Sequence, residues 1–157
     1  MTQEDLDHLN SIIRHINKVR ENCYILSDRL IKNGEFTLAK DLLALGLQHD
    51  VSKIKNEVEW KYLRDKYKDT TEFKLALESH LSSNPHHPEF WQDVTQIPRV
   101  YIYEMVADWK ARSEEFGTDL REWIKNSALE RYNISPQGRV YKEIKHALDL
   151  LLDKPFK

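Results

Sequence analysis

The sequence is poor in the residues that interrupt or cross-link a chain. Only four glycines and five prolines occur in 157 residues, and they fall between segments whose apolar side chains recur at helical spacing. Cys23 is the single cysteine, so the chain has no internal disulfide and suits a reducing compartment. No apolar run is as long as a membrane span. We therefore expect a cytoplasmic, all-α protein, with residues 1–157 forming a single-domain bundle of about six or seven helices.

Neither sign of charge dominates the sequence. Charged residues make up 32% of the chain, yet the net charge is only −2. A chain so balanced has no broad basic field to attract a polyanion, and its 40% of hydrophobic residues is enough for a packed core. The composition therefore predicts a small ligand as partner, with no membrane contact and no extended nucleic-acid surface. It is also compatible with a homodimer.

Apolar periodicity outlines the helices. We predict helices over about residues 4–31, 36–48 and 71–81, one opened by Pro98, one over 119–130, and a last one from Ser135-Pro136 to near Asp153. The predicted apolar face of the first helix consists of Leu6, Leu9, Ile13, Ile16, Val19, Cys23, Leu26 and Leu30. The charged and aromatic stretch 53–68 predicts a solvated amphipathic helix, or a lid that closes over an anionic substrate.

Several histidines and carboxylates fall on faces that should point inward. They are, in chain order, His15, His49, Asp50, His80, His86, His87 and Asp108. A single inward histidine is usually a hydrogen-bonded core residue. A whole cluster is costly to bury unless a divalent metal ion accepts its nitrogen and oxygen atoms. If one ion is shared, the imidazoles of His15 and His49 must lie within about 6 Å of each other.

Four short motifs carry these residues: "RHINKV", "HDVSK", "NPHHPEFW" and "EMVADW". Their order over about residues 10–125 resembles the HD-domain superfamily of metal-dependent phosphohydrolases, in particular a small branch found in bacteria and their phages. The Lys- and Glu-rich connection after "HD" departs from superfamily subgroups of known substrate. The resemblance implies an HD-type helical fold and hydrolysis of a nucleotide or other small phosphate ester by a metal-activated water.

The resemblance also implies roles for the ligands. The first ion would be held by His15, His49, Asp50 and Asp108. A second would be held by His80 with His86 or His87, and Asp50 would bridge the two. Such shells suit manganese, iron, zinc, cobalt or nickel, as one or two ions.

Residues outside the ligand set would also take part in the chemistry implied by the resemblance. Lys53 would neutralise phosphate oxygens, with Arg14 or Lys18 as additional candidates. Glu104 would accept a hydrogen bond from a ligand imidazole, and Glu89 would do the same or carry a proton.

The residues also permit other interpretations. The additional histidines are compatible with an HD-fold di-iron oxygenase, and the cluster could instead be the structural zinc site of a non-catalytic protein. Lys53 could simply complement a helix C-terminus, and Glu104 could pair with an arginine at the surface. His8 and His146 have no partners in the pattern, so we predict that they are surface residues.

Overall fold

A computed structural model describes residues 1–152, and this part of the chain is all-helical, as predicted. The helices are α1 (Gln3–Lys32), α2 (Phe36–Gln48), α3 (Ser52–Lys55), α4 (Glu57–Tyr62), α5 (Thr71–Ser83), α6 (Arg99–Phe116), α7 (Leu120–Trp123), α8 (Leu129–Arg131) and α9 (Arg139–Leu151). A π turn, Ile124–Ala128, joins α7 to α8. Counting residues 120–131 as one helix and omitting single-turn α3 gives seven helices within the described residues, which confirms the prediction.

The core lies where α1 packs against α2 and α6, and where α6 packs against α9. Val19, Leu42, Ile102 and Ile144 are fully buried there. Thr2 begins α1 with a reciprocal capping box, which satisfies backbone N–H groups that would otherwise lack partners. No helix of the described residues is both long and apolar enough to cross a bilayer.

The buried face of α1 agrees with the predicted one at Ile16, Val19, Cys23, Leu26 and Leu30, and it differs near the start of the helix. Leu6 and Ile13 are about two-fifths exposed, at 41% and 40%. Asn22 and Ser27 also lie on the buried face. Asn22 donates a hydrogen bond to the backbone carbonyl of Ala107, and Ser27 donates one to the backbone carbonyl of Ala39. The buried face of α1 therefore includes two hydrogen-bonded polar residues beside the apolar ones.

The stretch 53–68 is not one continuous helix, so the helix prediction was wrong. The alternative, that the stretch closes over an anionic substrate, stays a prediction. Asn56 ends α3 and begins α4, since its side chain accepts hydrogen bonds from the backbone N–H groups of Val58 and Glu59. A 3₁₀ turn, Asp65–Tyr67, follows.

The last helix also differs at its start. It begins at Arg139 with Gly138 as its N-cap, rather than at Ser135-Pro136. Its predicted end near Asp153 lies outside the described residues.

Candidate metal centre

The fold brings all seven predicted ligands to one place. His15 lies in the middle of α1, His80 on α5 and Asp108 on α6, while the other four occupy the turns after α2 and α5. Every one of them is buried except His87, which is half-buried. Side chains up to ninety-three positions apart in the chain therefore form one cluster around the carboxylate of Asp50.

The backbone conformation of Asp50 directs its side chain into the centre of the cluster. Helix α2 ends at Gln48 with His49 as its C-cap, and Asp50 takes a left-handed conformation with φ of 53°. Aspartate tolerates this region better than most residues, and such strained conformations concentrate at functional sites. The turn sends the Asp50 side chain inward, where it is only 1% exposed. Its Oδ2 lies 3.5 Å from His49 Nε2 and 4.0 Å from His15 Nε2.

The first ligand group has the dimensions of a single-ion site. His15 Nε2 lies 2.9 Å from Asp108 Oδ1, and His49 Nε2 lies 3.8 Å from the same oxygen. Two donor atoms that each lie about 2.1 Å from one ion are separated by about 3 to 4 Å, depending on the angle between them. The ring centroids of His15 and His49 are 5.8 Å apart, within the limit that a shared ion sets.

A second ligand group lies on the other side of Asp50. Asp50 Oδ1 is 3.5 Å from His80 Nε2 and 3.4 Å from His86 Nε2. His87 Nε2 is 2.9 Å from His80 Nε2. His86 Nε2 also lies 3.5 Å from Asp108 Oδ2, so His86 stands between the two groups. Sequence left the choice between His86 and His87 open, and the structure brings both rings into the cluster.

The cluster is rich in buried polar atoms that have no hydrogen-bond partner. These are His15 Nε2, His49 Nε2, Asp50 Oδ1, His86 Nε2 and Asp108 Oδ1. His15 Nε2 and Asp108 Oδ1 are close but are not aligned as a hydrogen bond. Leaving one such group unsatisfied costs about 1–3 kcal/mol, so five in one place need compensation. They are imidazole nitrogens and carboxylate oxygens that converge, and this donor set fits a divalent transition metal.

Outer carboxylates hold the other ring nitrogens. Glu104 Oε1 lies 3.0 Å from His49 Nδ1 and 3.3 Å from His86 Nδ1, so the predicted contact of Glu104 with a ligand imidazole is present. Glu115 Oε1 lies 2.6 Å from His15 Nδ1. When the Nδ1–H group donates to a carboxylate, the lone pair of Nε2 faces the centre, as a metal ligand requires.

His80 is held in the same way by Glu59, whose Oε2 lies 3.1 Å from His80 Nδ1. Ser52 and Ser79 also donate to this carboxylate. Sequence reasoning missed both Glu59 and Glu115. Glu115 follows Asp108 by two helical turns on the same face of α6, a spacing that could have revealed it. Glu59 gave no signal, because it sits in a stretch that looks like a solvated helix.

The cluster's electrostatics favour bound positive charge. Burial alone would raise the pKa of Asp50, but Lys53 and His49 outweigh it and hold that pKa well below its usual range. Burial likewise opposes charge on His86, yet the nearby carboxylates of Asp108, Asp50 and Glu104 raise its pKa well above normal. Burial lowers the pKa of His87 to about 3, which leaves this ring neutral and able to bind a metal.

A cavity of about 710 Å³ adjoins the cluster. His15, Asp50, His80, His87 and Asp108 line it, and so do the cations Lys53, Arg64, Arg112 and Arg131. Lys53 Nζ lies 2.8 Å from Asp50 Oδ2, so it stands directly at the ligands. Arg14 and Lys18 are not among the lining residues, which contradicts their predicted role. Lys18 pairs with Glu21 and Glu114 instead, and Arg14 is exposed.

Two other predictions concern the cavity wall. Glu89 is exposed and lines the cavity, but within residues 1–152 it accepts no hydrogen bond from a ligand imidazole, so only its role as a proton carrier stays a prediction. His8 is not a free surface residue: its ring packs against Trp60 with centroids 5.2 Å apart, and it lines the same cavity. His146, at 40% exposure, lies at the surface and contacts Glu35.

Comparison with known proteins gives a family and no activity. Neither the curated proteins nor the solved structures contain a match to the chain. One family model, described as a family of unknown function, matches residues 4–153. Nothing in that match refers to the HD-domain superfamily, so the resemblance stays a prediction. The match spans nearly the entire chain, and the protein therefore belongs to the DUF5662 family.

Proposed function

We propose that the protein is a metal-dependent phosphohydrolase of the HD-domain type, acting on a nucleotide or another small phosphate ester. One observation carries the proposal: five buried, unpartnered ligand atoms converge beside a cavity that Lys53 also lines. A metal site next to a cavity with a fixed cation is the arrangement that phosphate-ester hydrolysis needs.

Each role follows from a contact or from a position on the cavity wall. A bound divalent ion would supply a water nucleophile near neutral pH and would polarise the phosphate oxygens. Lys53 Nζ would donate to a phosphate oxygen, since it faces the cavity at the edge of the cluster. Glu104 and Glu115 would keep their imidazoles in the tautomer that binds metal. Glu89 on the wall would carry a proton to the leaving group or from the water.

The position of the cavity favours a catalytic site over a structural one. A structural zinc site is closed by its protein ligands, whereas a catalytic site keeps a position for water or substrate. Here the ligands His15, His80, His87 and Asp108 line an open volume rather than being sealed from it.

The proposal is tested by metal analysis of the purified protein, followed by a panel of nucleotides and phosphomonoesters assayed with Mn²⁺, Co²⁺ and Ni²⁺. We expect turnover of at least one ester and its loss in His49→Gln. His146→Gln is the matched control, because it removes an imidazole outside the cluster. No turnover across the panel, together with a His49→Gln variant that binds metal as the wild type does, would refute the proposal.

A second candidate, an HD-fold di-iron oxygenase, is favoured by one observation. The ligands fall into two groups that share Asp50, so two ions could be held side by side. Iron in the purified protein and substrate-dependent oxygen consumption would identify this activity. Turnover of a phosphate ester with manganese in the absence of oxygen would exclude it.

A structural metal site predicts a third outcome. Chelation would then unfold the protein, and no substrate of either panel would be turned over.

A further inference from the structure

The cavity is longer than a phosphate group requires. Its volume of about 710 Å³ lies within the range of pockets that hold a whole small ligand. His15 marks the metal end, and His8, which lines the same cavity, precedes it by seven residues on α1. Seven helical residues span about 10 Å. A ligand that fills the cavity therefore reaches about two helical turns beyond the metal ligands.

Arg64 lies near the His8 end and is fixed in place. Its side chain is only 10% exposed, and its Nη1 donates to Asp5 Oδ1 at 2.8 Å. Its Nε donates to the carbonyl of Trp60 at 3.1 Å, and the guanidinium lies 4.9 Å from the centre of that indole ring. Within residues 1–152, Nη2 makes no hydrogen bond. A nine-tenths buried, preorganised arginine on a cavity wall thus keeps donors available for a ligand.

The surroundings of Arg64 suit an anion. His8 packs on the same indole ring of Trp60, and His8 Nε2 is buried without a partner. Burial lowers the pKa of His8, and the positive charges of Arg64 and Lys53 lower it further, so both cations act on this part of the cavity. Asp65 also lines the cavity, but it is exposed and forms no ion pair within the described residues.

The wall also carries apolar side chains. Ile12, Leu63, Phe73 and Leu77 line the same cavity. A ligand with a charged group at each end and an apolar body would match these three kinds of surface.

We propose that Arg64 binds a second anionic group, a carboxylate or a phosphate, at the far end of a phosphorylated substrate. This inference rests on the proposed function, because it takes the metal cluster as the site of the phosphate that is cleaved. It names the substrate class as an elongated phosphate ester with a remote anion. An uncharged tail or inorganic phosphate alone would leave Arg64 without a ligand.

Three non-hydrolysable ligands test the proposal on Mn²⁺-loaded protein by calorimetric titration. Hexylphosphonate has one anionic end, 6-phosphonohexanoate adds a carboxylate at the other end, and hexane-1,6-bisphosphonate adds a second phosphonate there. Because Arg64 would form a charge-assisted hydrogen bond with the second anionic group, we expect at least one two-ended ligand to bind about tenfold or more tightly than hexylphosphonate. Which of the two gains more identifies the remote group as carboxylate or phosphate.

The variant Arg64→Met should abolish this gain while leaving the affinity for hexylphosphonate unchanged. Arg131→Met is the matched control, because it removes an arginine from another part of the same wall. Loss of the gain in Arg131→Met but not in Arg64→Met would assign the remote anion to Arg131 and overturn the proposal.

Wild-type protein and Arg131→Met together test the proposal if Arg64→Met does not fold, since Arg64 pairs with Asp5. A gain for the two-ended ligands that Arg131→Met keeps would support Arg64. Equal affinities for the three ligands would overturn the role of Arg64 and leave the hydrolase proposal standing. If none of the three binds the metal-loaded protein, the phosphohydrolase proposal itself fails.

Discussion

The carboxylate of Glu104 is the most informative residue to change. It is 4% exposed, and its Oε1 forms a hydrogen bond with the imidazole of His49 and lies 3.3 Å from Nδ1 of His86. Glu104→Gln keeps the shape of the side chain and one acceptor oxygen, but it removes the negative charge. The substitution therefore tests whether the charge on Glu104 supports metal binding through the rings that it orients.

The expected magnitude follows from those two contacts. Removing the outer partner of a ligand histidine typically lowers metal affinity by about 10–100-fold, which corresponds to about 1.4–2.7 kcal/mol. Since Glu104 supports two imidazoles at once, we expect the upper part of this range. The metal-free protein should remain folded, because the substitution removes a charge from a cluster in which Asp50, Asp108, Glu59 and Glu115 already lie.

The assay is a competition for Mn²⁺ or Zn²⁺ between the protein and a chromophoric chelator, with folding checked by circular dichroism. Glu143→Gln is the matched control: Glu143 contacts Arg99 and Tyr103 and is not part of the cluster. We expect weakened binding in Glu104→Gln alone. A folded Glu104→Gln variant with wild-type affinity would refute the reasoning, and so would equal weakening in Glu143→Gln.

Three further predictions concern the scaffold. Gly46→Ala would place a Cβ atom 2.8 Å from Cys23 Cβ, and such overpacking costs about 1–3 kcal/mol. We therefore expect the Tm of this variant to fall by several degrees in a thermal scan. An unchanged Tm would contradict this close packing of α2 on α1. Burial raises the pKa of the Cys23 thiol far above its usual range, so alkylation at about pH 8 should proceed in urea but not in the native protein, as mass spectrometry would show. Burial opposes ionisation of Glu35, but the hydrogen bond from Arg99 lowers the pKa of this carboxyl below normal. Ionised Glu35 therefore stabilises the folded protein above the pKa that the group has in the unfolded chain, and this stabilisation is lost as the pH falls through its lower pKa in the folded protein. The difference in unfolding free energy between wild type and Glu35→Gln should therefore shrink on acidification, and a difference that grows would refute this sign.

Local sequence signals were enough for part of the site. His49 and Asp50 stand where the apolar helix α2 ends, and Glu104 precedes Asp108 by one turn on the same face of α6. These relations depend only on helical geometry, which fixes which side chains share a face. The inward-facing His15 on α1 could be recognised in the same way.

Other parts of the site depended on the path of the chain after α2. Asn56 breaks the stretch 53–68, and this break turns Glu59 inward onto His80 and brings Arg64 to the cavity wall. A charged segment with a few aromatics looks the same in sequence whether it is solvated or folded over a cavity. Its burial is decided by neighbours distant in the chain, such as Asp5 and Ser79.

By itself, the sequence determined the helical class, most helix bounds and the identity of the metal-ligand candidates, because each of these follows from periodicity and residue chemistry within one segment. Only the tertiary structure decided how far apart the candidate ligand atoms lie, that Glu59 and Glu115 also hold candidate ligand rings, and which cations face the cavity. These features depend on distances between segments that are far apart in the chain, and the packing of whole helices determines those distances.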